Sequence, residues 1–148
     1  MAENDIITVV YKQLGNAVLS VQRKSAQRVY FSIAARSLEQ SSLVMIDEFG
    51  ARFQIATGVD TKAGIEVMYH WALDEKNCVV TLKTLLDHSS PELDSIALIC
   101  PAAEWIEREM WELLGIHFVG HPDLRHLLLA DDWPDGNFPM RRNHGGPS

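Results

Sequence analysis

Between residues 52 and 83 the chain alternates three times, in succession, between side chains that avoid water and side chains that tolerate it. Phe53, Ile55 and Thr57 alternate with Arg52, Gln54 and Ala56; Ile65, Val67, Tyr69 and Trp71 alternate with Glu66, Met68 and His70; Cys78, Val80 and Leu82 alternate with Val79, Thr81 and Lys83. A period of two sends neighbouring side chains to opposite faces of a strand, so these runs predict half-buried antiparallel strands. Gly58–Gly64 and Asp74–Asn77 supply the turns, and the second is short enough for a hairpin. A sheet with one apolar face must bury it under another layer.

The flanking sequence offers that layer. Asn4 or Asp5 can cap a helix whose stripe is Ile6, Ile7, Val10 and Leu14, ending at Gly15. Ala17–Gln22 and Arg28–Ile33 read as short strands about a turn at Lys24-Ser25-Ala26-Gln27. Ser37 and Gln40 have capping-box spacing before a helix that runs to Phe49 and stops at Gly50, with Leu38, Met45, Ile46 and Phe49 toward the sheet. Leu85 to Ser95 is looser, broken at Ser89-Ser90-Pro91. The predicted fold is α+β: a mainly antiparallel sheet with packed helices and an extended C-terminal segment.

The last helix opens at Pro101, where a missing N–H costs nothing, and closes at Gly115. At ~100° per residue Ala102, Ala103, Ile106, Met110, Leu113 and Leu114 share an apolar face, with Glu104, Arg108, Trp111 and Glu112 opposite. Glu104–Arg108 and Arg108–Glu112 have the i,i+4 spacing of exposed ion pairs. Trp111 on the charged side either lies flat over its neighbours or anchors a partner. Beyond Gly115, glycines and prolines punctuate a segment still rich in Leu, Phe and Trp, which must pack on its own domain or on a partner. The expected organisation is one α+β unit over 1–115 and an extended docking segment of the same domain over 116–148.

At 148 residues and 47% hydrophobic composition the chain is one domain's worth of sequence with enough apolar side chains for a core. A net charge of −7 argues against nucleic acid as the partner. No apolar run approaches the ~20 residues of a membrane span, and the N-terminus lacks the features of a signal peptide. Cys78 and Cys100 form neither a disulfide framework nor an iron–sulfur motif, which fits a reducing compartment.

Candidate chemistry is sparse. His117, His121 and His126 suggest a metal by spacing, but Gly115, Gly120 and Pro122 forbid the continuous helix that would align them. Glu107 and Glu109 point roughly 200° apart on a helix, so with Glu112 they suit a surface or interface better than general acid–base work. No nucleophile elbow, dinucleotide fingerprint or phosphate loop is present. Arg125, Arg141 and Arg142 suit bidentate pairing across an interface.

Glu107-Arg108-Glu109-x-x-Glu112-Leu113-Leu114-Gly115-Ile116, followed by His121-Pro122-Asp123-Leu124-Arg125 and Leu127-Leu128, resembles the signature of the 30 kDa subunit of respiratory complex I. That family includes the corresponding small subunit of membrane-bound, energy-converting [NiFe] hydrogenases. Asp132-Trp133-Pro134-Asp135-Gly136-x-x-Pro139-Met140-Arg141-Arg142 resembles the family's closing motif, in a form closer to the hydrogenase branch. Asn143–Ser148 then departs from the Asp-Tyr or similar sequence with which members often continue, which also suits a short hydrogenase-type subunit. The resemblance implies a non-catalytic subunit without a cofactor of its own, on the cytoplasmic side of a membrane-associated redox complex. It would dock the large catalytic subunit and iron–sulfur subunits, which carry the NiFe centre and the clusters. Its implied interface is Glu107, Arg108, Glu109, Trp111, Glu112, His121, Pro122, Arg125, Trp133, Arg141 and Arg142. A 30 kDa-type subunit of a quinone-reducing complex I is the alternative, and a free-standing enzyme a distant third.

Overall fold

The computed structural model describes residues 5–125 and 138–141. Helix α1 (Ile6–Leu14) begins where the Asp5 carboxylate accepts from the Ile7 N–H at 3.1 Å and ends at Gly15, as its sequence predicts. Strands β1 (Val18–Ser25) and β2 (Arg28–Ile33) form an antiparallel pair. Helix α2 (Leu38–Phe49) then crosses to β3 (Arg52–Asp60), β4 (Ile65–Leu73) and β5 (Cys78–Leu86). The five strands lie in the order β1-β2-β5-β4-β3, antiparallel except for the parallel ladder between β2 and β5. A short strand β6 (Glu92–Asp94), helix α3 (Ala103–Leu114) and strand β7 (His117–Val119) complete the described chain, with β6 and β7 paired in parallel.

One face of the sheet carries the core. Val29, Phe31, Ile65, Val67, Tyr69, Trp71, Val80 and Leu82 are fully buried and join Val10 of α1 and Leu38 and Met45 of α2 in one cluster. The other face is more polar, with His70 hydrogen-bonded to Thr81 and Lys83 paired with Glu66. The alternation of β4 and most of β5 therefore reads out in space as it does in sequence.

Several local expectations fail. The Ser37 side chain makes no capping hydrogen bond, because Ala35–Ser37 already form a turn of 3-10 helix leading into α2. Strand β3 does not stop at Gly58 but runs to Asp60. Its register against β4 slips between Phe53 and Ile55, so the phase inverts: Ile55 is 45% exposed while Ala56 is 5% exposed. Gly58 is there for close approach, since a Cβ at that position would sit 2.6 Å from Leu114 Cδ1 of α3. The stretch between Leu85 and Ser95 is not all loop, as β5 extends to Leu86 and β6 follows. Helix α3 starts at Ala103, two residues after Pro101, and Ala102 is exposed.

Candidate functional site

Helix α3 is held on three sides. Its apolar side lies along β3, with Met110 and Leu114 buried and Ile106 and Leu113 partly buried. This side borders a groove of about 210 Å³ lined by Ile55, Ile106, Glu109, Leu113 and Met140 among others. Glu109 is exposed at its edge.

The second side is polar and fully enclosed. Glu107, with no exposed surface, accepts three hydrogen bonds: from the Tyr69 hydroxyl of β4 at 2.7 Å, from the Ser95 hydroxyl and from the Ile96 N–H at 3.0 Å. Ser95 Oγ in turn accepts from the Ala97 N–H. One carboxyl thus ties together β4, α3 and the turn that follows β6. Burial pushes the Glu107 carboxyl above its ordinary value, against the downward pull of the bonds from Ser95, Ile96 and Tyr69. Burial and then the neighbouring Glu107 hold Tyr69 well above the usual phenol range, so it remains a donor.

The third side meets the chain as it folds back after β7. His121 lies with Nε2 2.9 Å from the Glu104 carbonyl oxygen and accepts at Nδ1 from the Asp123 N–H at 2.9 Å. A carbonyl on one nitrogen and an N–H on the other select the neutral ring with its proton on Nε2. Arg108, 5% exposed, reaches the Arg125 carbonyl through Nε at 3.4 Å, approaches Asp123 at 4.0 Å and stacks on Trp105, 5.3 Å from its ring centroid. The Arg125 side chain returns to Asp123 at 3.0 Å. At the end of α3, Gly115 takes φ +79° and lets the Phe138 ring lie against it. The Met140 N–H donates to the Leu113 carbonyl and Arg141 Nε to the Leu114 carbonyl. Residues 138–141 thereby satisfy acceptors that a helix end leaves open, and place a cation at its negative pole.

These contacts correct the reading of α3 as one apolar face and one free charged face. Glu107, Arg108 and Glu112 are buried: Glu107 turns toward Tyr69 of the sheet and the Ser95 turn, and Arg108 is covered by the returning segment. Arg108 turns to Asp123 and the Arg125 carbonyl. Trp111 is half-buried against the core and Arg141 is spent on the helix end. His117 is exposed and does not join the His121 bonds; among the described residues no group of His, Cys, Asp or Glu is arranged to hold a metal ion. Glu109, Pro122 and Arg125 are exposed or nearly so, with His121 partly buried. Trp133, Arg142 and His126 lie outside the described residues. Sequence reasoning missed Tyr69, Ser95, Asp123 and Trp105. Only Trp105 carried a signal, as a second aromatic on α3 that falls at the border between its two faces.

The chain is similar along nearly its whole length to subunits of respiratory complexes. It is 45% identical over 78 residues to a subunit of the NADH-quinone oxidoreductase of Methylococcus capsulatus, covering 53% of this chain and 13% of that protein. It is 39% identical over 92 residues to a subunit of the F(420)H(2) dehydrogenase of Methanosarcina mazei, covering 61% of this chain and 58% of that one. It is 29% identical over 142 residues to hydrogenase-4 component G of Escherichia coli, covering 93% of this chain and 26% of that protein. The chain thus spans less than two thirds of the length of these relatives. Its fold matches a chain of the membrane-bound sulfane sulfur reductase, an archaeal respiratory membrane complex, with a TM-score of 0.82 at 23% identity over 94% of this chain and 83% of that one. It matches a trypsin-resistant fragment of Nqo5 with a TM-score of 0.69 at 16% identity over 81% of this chain and 99% of that one. No helix among the described residues is long and apolar enough to cross a membrane. With residues 20–147 matching the family described as "Respiratory-chain NADH dehydrogenase, 30 Kd subunit", this chain belongs to the 30 kDa subunit family of complex I and its relatives.

Proposed function

We propose that this chain is a non-catalytic docking subunit of a complex I-related oxidoreductase of the energy-converting [NiFe] hydrogenase type. It seats the large catalytic subunit and the iron–sulfur subunits on the cytoplasmic side of the membrane. The observation that carries the reading is how the signature is used. Glu107 is consumed in a buried three-donor cage, His121 in a backbone clamp and Arg141 in a helix cap. Groups spent in this way are set to hold a surface and not to turn over a substrate. The accessible remainder is Glu109 at the edge of the groove beside β3, and Pro122 and Arg125 on the returning segment. The likeness to hydrogenase-4 component G over 93% of the chain supports the hydrogenase branch. Likeness to NADH-quinone oxidoreductase subunits keeps a quinone-reducing complex as the second reading.

The test is native purification through a tag on this chain. A co-purifying large subunit with two CxxC pairs, nickel and hydrogen-dependent activity is the expected result. A large subunit without those pairs, with quinone reduction and no nickel, selects the second reading. Recovery of the chain alone with an activity of its own overturns both.

A further inference from the structure

We propose that the open face of the five-stranded sheet receives an acidic segment of a neighbouring subunit, with one carboxylate seated beside Arg28. The inference rests on the docking-subunit reading above and adds a further contact to it. No described helix covers this face: α1, α2 and α3 all send buried residues into the core on the other side. Register sets Tyr30, Thr81, His70 and Ile55 in one row across the open face, and Leu85, Glu66 and Val59 in another. Ile55, Val59 and Leu85 are about half exposed there. Where β2 and β5 begin and β4 ends, the face sinks into a cavity of about 240 Å³. Gln27, Arg28, Gln54, Asn77 and Val79 line it, with Ala72 buried in its wall.

Charge decides the kind of partner. The chain as a whole carries −7, yet this face has the opposite sign. Lys83 is paired with Glu66 at 3.4 Å, and Arg52 at the rim is held by Asp74 through two hydrogen bonds. Glu75 lines a different cleft, beside Phe49 and Gly50 at the end of α2, together with Lys76. Arg28 and Lys24 are left over. Lys24 Nζ lies over the Tyr30 ring, 5.1 Å from its centroid, and that ring meets His70 edge-on. Burial, and then the charge of Arg28, hold His70 below its ordinary value, so the imidazole stays neutral and Arg28 is within electrostatic reach of it. Neither Lys24 nor Arg28 has a carboxylate partner among the described residues. The side-chain amides of Gln27, Gln54 and Asn77 are likewise unpaired among those residues. A carboxylate accepts about four hydrogen bonds, and a guanidinium fork matches its two oxygens. Two unbalanced cations with amide donors around one cavity therefore fit an acidic segment and repel a basic one. Ile55, Val59 and Leu85 on the same face give that segment apolar contact.

The experiment uses the complex purified from producing cells through a tag on this chain. Its readouts are partner stoichiometry, salt stability, amine labelling of Lys24 and the melting temperature of the recovered chain. Arg28→Glu should lower at least one co-purifying subunit about ten-fold or more. Gln54→Glu should weaken the same contact by repulsion, whereas Gln54→Lys should hold it as well as the parent does or better. High salt should release that subunit from the parent, and Lys24 should take the label only after release. Melting should be nearly unchanged in all three variants, since Arg28 and Gln54 are exposed. Full recovery of every subunit with Arg28→Glu overturns the proposal, as does full labelling of Lys24 in the assembled complex. Recovery that ignores the sign of charge at position 54, through equal loss or none, overturns the carboxylate. A large fall in melting temperature with Arg28→Glu places Arg28 in the fold and overturns its role as an anchor. If the parent chain recovers no partner at all, the docking-subunit reading itself fails, and that outcome is distinct from the others.

Discussion

The Tyr69 hydroxyl of β4 donates to the Glu107 carboxylate of α3 across 2.7 Å, in a site closed to water. Ser95 and the Ile96 N–H converge on the same carboxyl, so its removal orphans three donors at once. An unsatisfied buried donor costs ~1–3 kcal/mol. Glu107→Leu should therefore destabilise the fold by about 3 kcal/mol or more. Glu107→Gln, which keeps an acceptor where Tyr69 and Ile96 meet, should stay within about 1–2 kcal/mol of the parent. Denaturant melts of the variants check this, and equal losses would show that shape and not hydrogen bonding matters at the site.

The same residue sets a pH dependence. The folded state holds the Glu107 proton more tightly than the unfolded chain does, because burial raises its carboxyl. Its contribution is fully present below the ordinary glutamate value and is lost as pH rises through the higher folded value. Melts across the mildly acidic range should show Glu107→Gln gaining on the parent as pH increases. A constant difference between the two would show that burial does not raise this carboxyl.

His121 is a clamp that a neutral amide can copy. Gln at this position can donate to the Glu104 carbonyl and accept from the Asp123 N–H, whereas Ala can do neither. Hydrogen exchange at Asp123 should stay slow in His121→Gln and speed up by roughly ten-fold in His121→Ala, the equivalent of one hydrogen bond of about 1.4 kcal/mol. Slow exchange in both variants would assign the turn to Pro122 and its neighbours instead.

Gly115→Ala should detach residues 138–141 from α3. The substitution meets φ +79° and a Phe138 ring that already occupies the space of the new Cβ. Strain alone is worth ~1–3 kcal/mol. The expected result is a loss of Phe138 contacts by NMR together with the lower stability. Arg141→Ala should remove only the last hydrogen bond and the helix-end charge, for about 1 kcal/mol.

How much of this is legible in the sequence differs by element. Strand β4 announces itself because every residue of Ile65–Trp71 obeys one alternation and one register. Strand β3 is placed by its alternation but misphased, since a one-residue slip near Gln54 leaves no mark in composition and exchanges Ile55 for Ala56 at the core. The family is legible because the α3 signature is long and mixed in chemistry. The roles within it are not. Helical periodicity counts Glu107 and Arg108 as polar and sends them outward; it cannot see that Tyr69 lies 38 residues upstream and Arg125 17 residues downstream in position to enclose them. Buried polar partners are set by tertiary geometry, and period alone is blind to them.

The parallel ladder between β2 and β5 has a kinetic consequence. It joins two pieces that each close locally: the β1–β2 pair, and the β3–β4–β5 meander. Arg28 pairs opposite Val79, so the loop between them must close before any of that ladder's bonds form. Contacts so distant in sequence slow folding more than they limit stability. During synthesis, β1 and β2 emerge well before their partner, and β2 keeps an open edge until β5 arrives. That edge is where the nascent chain is most exposed to pairing with the wrong strand.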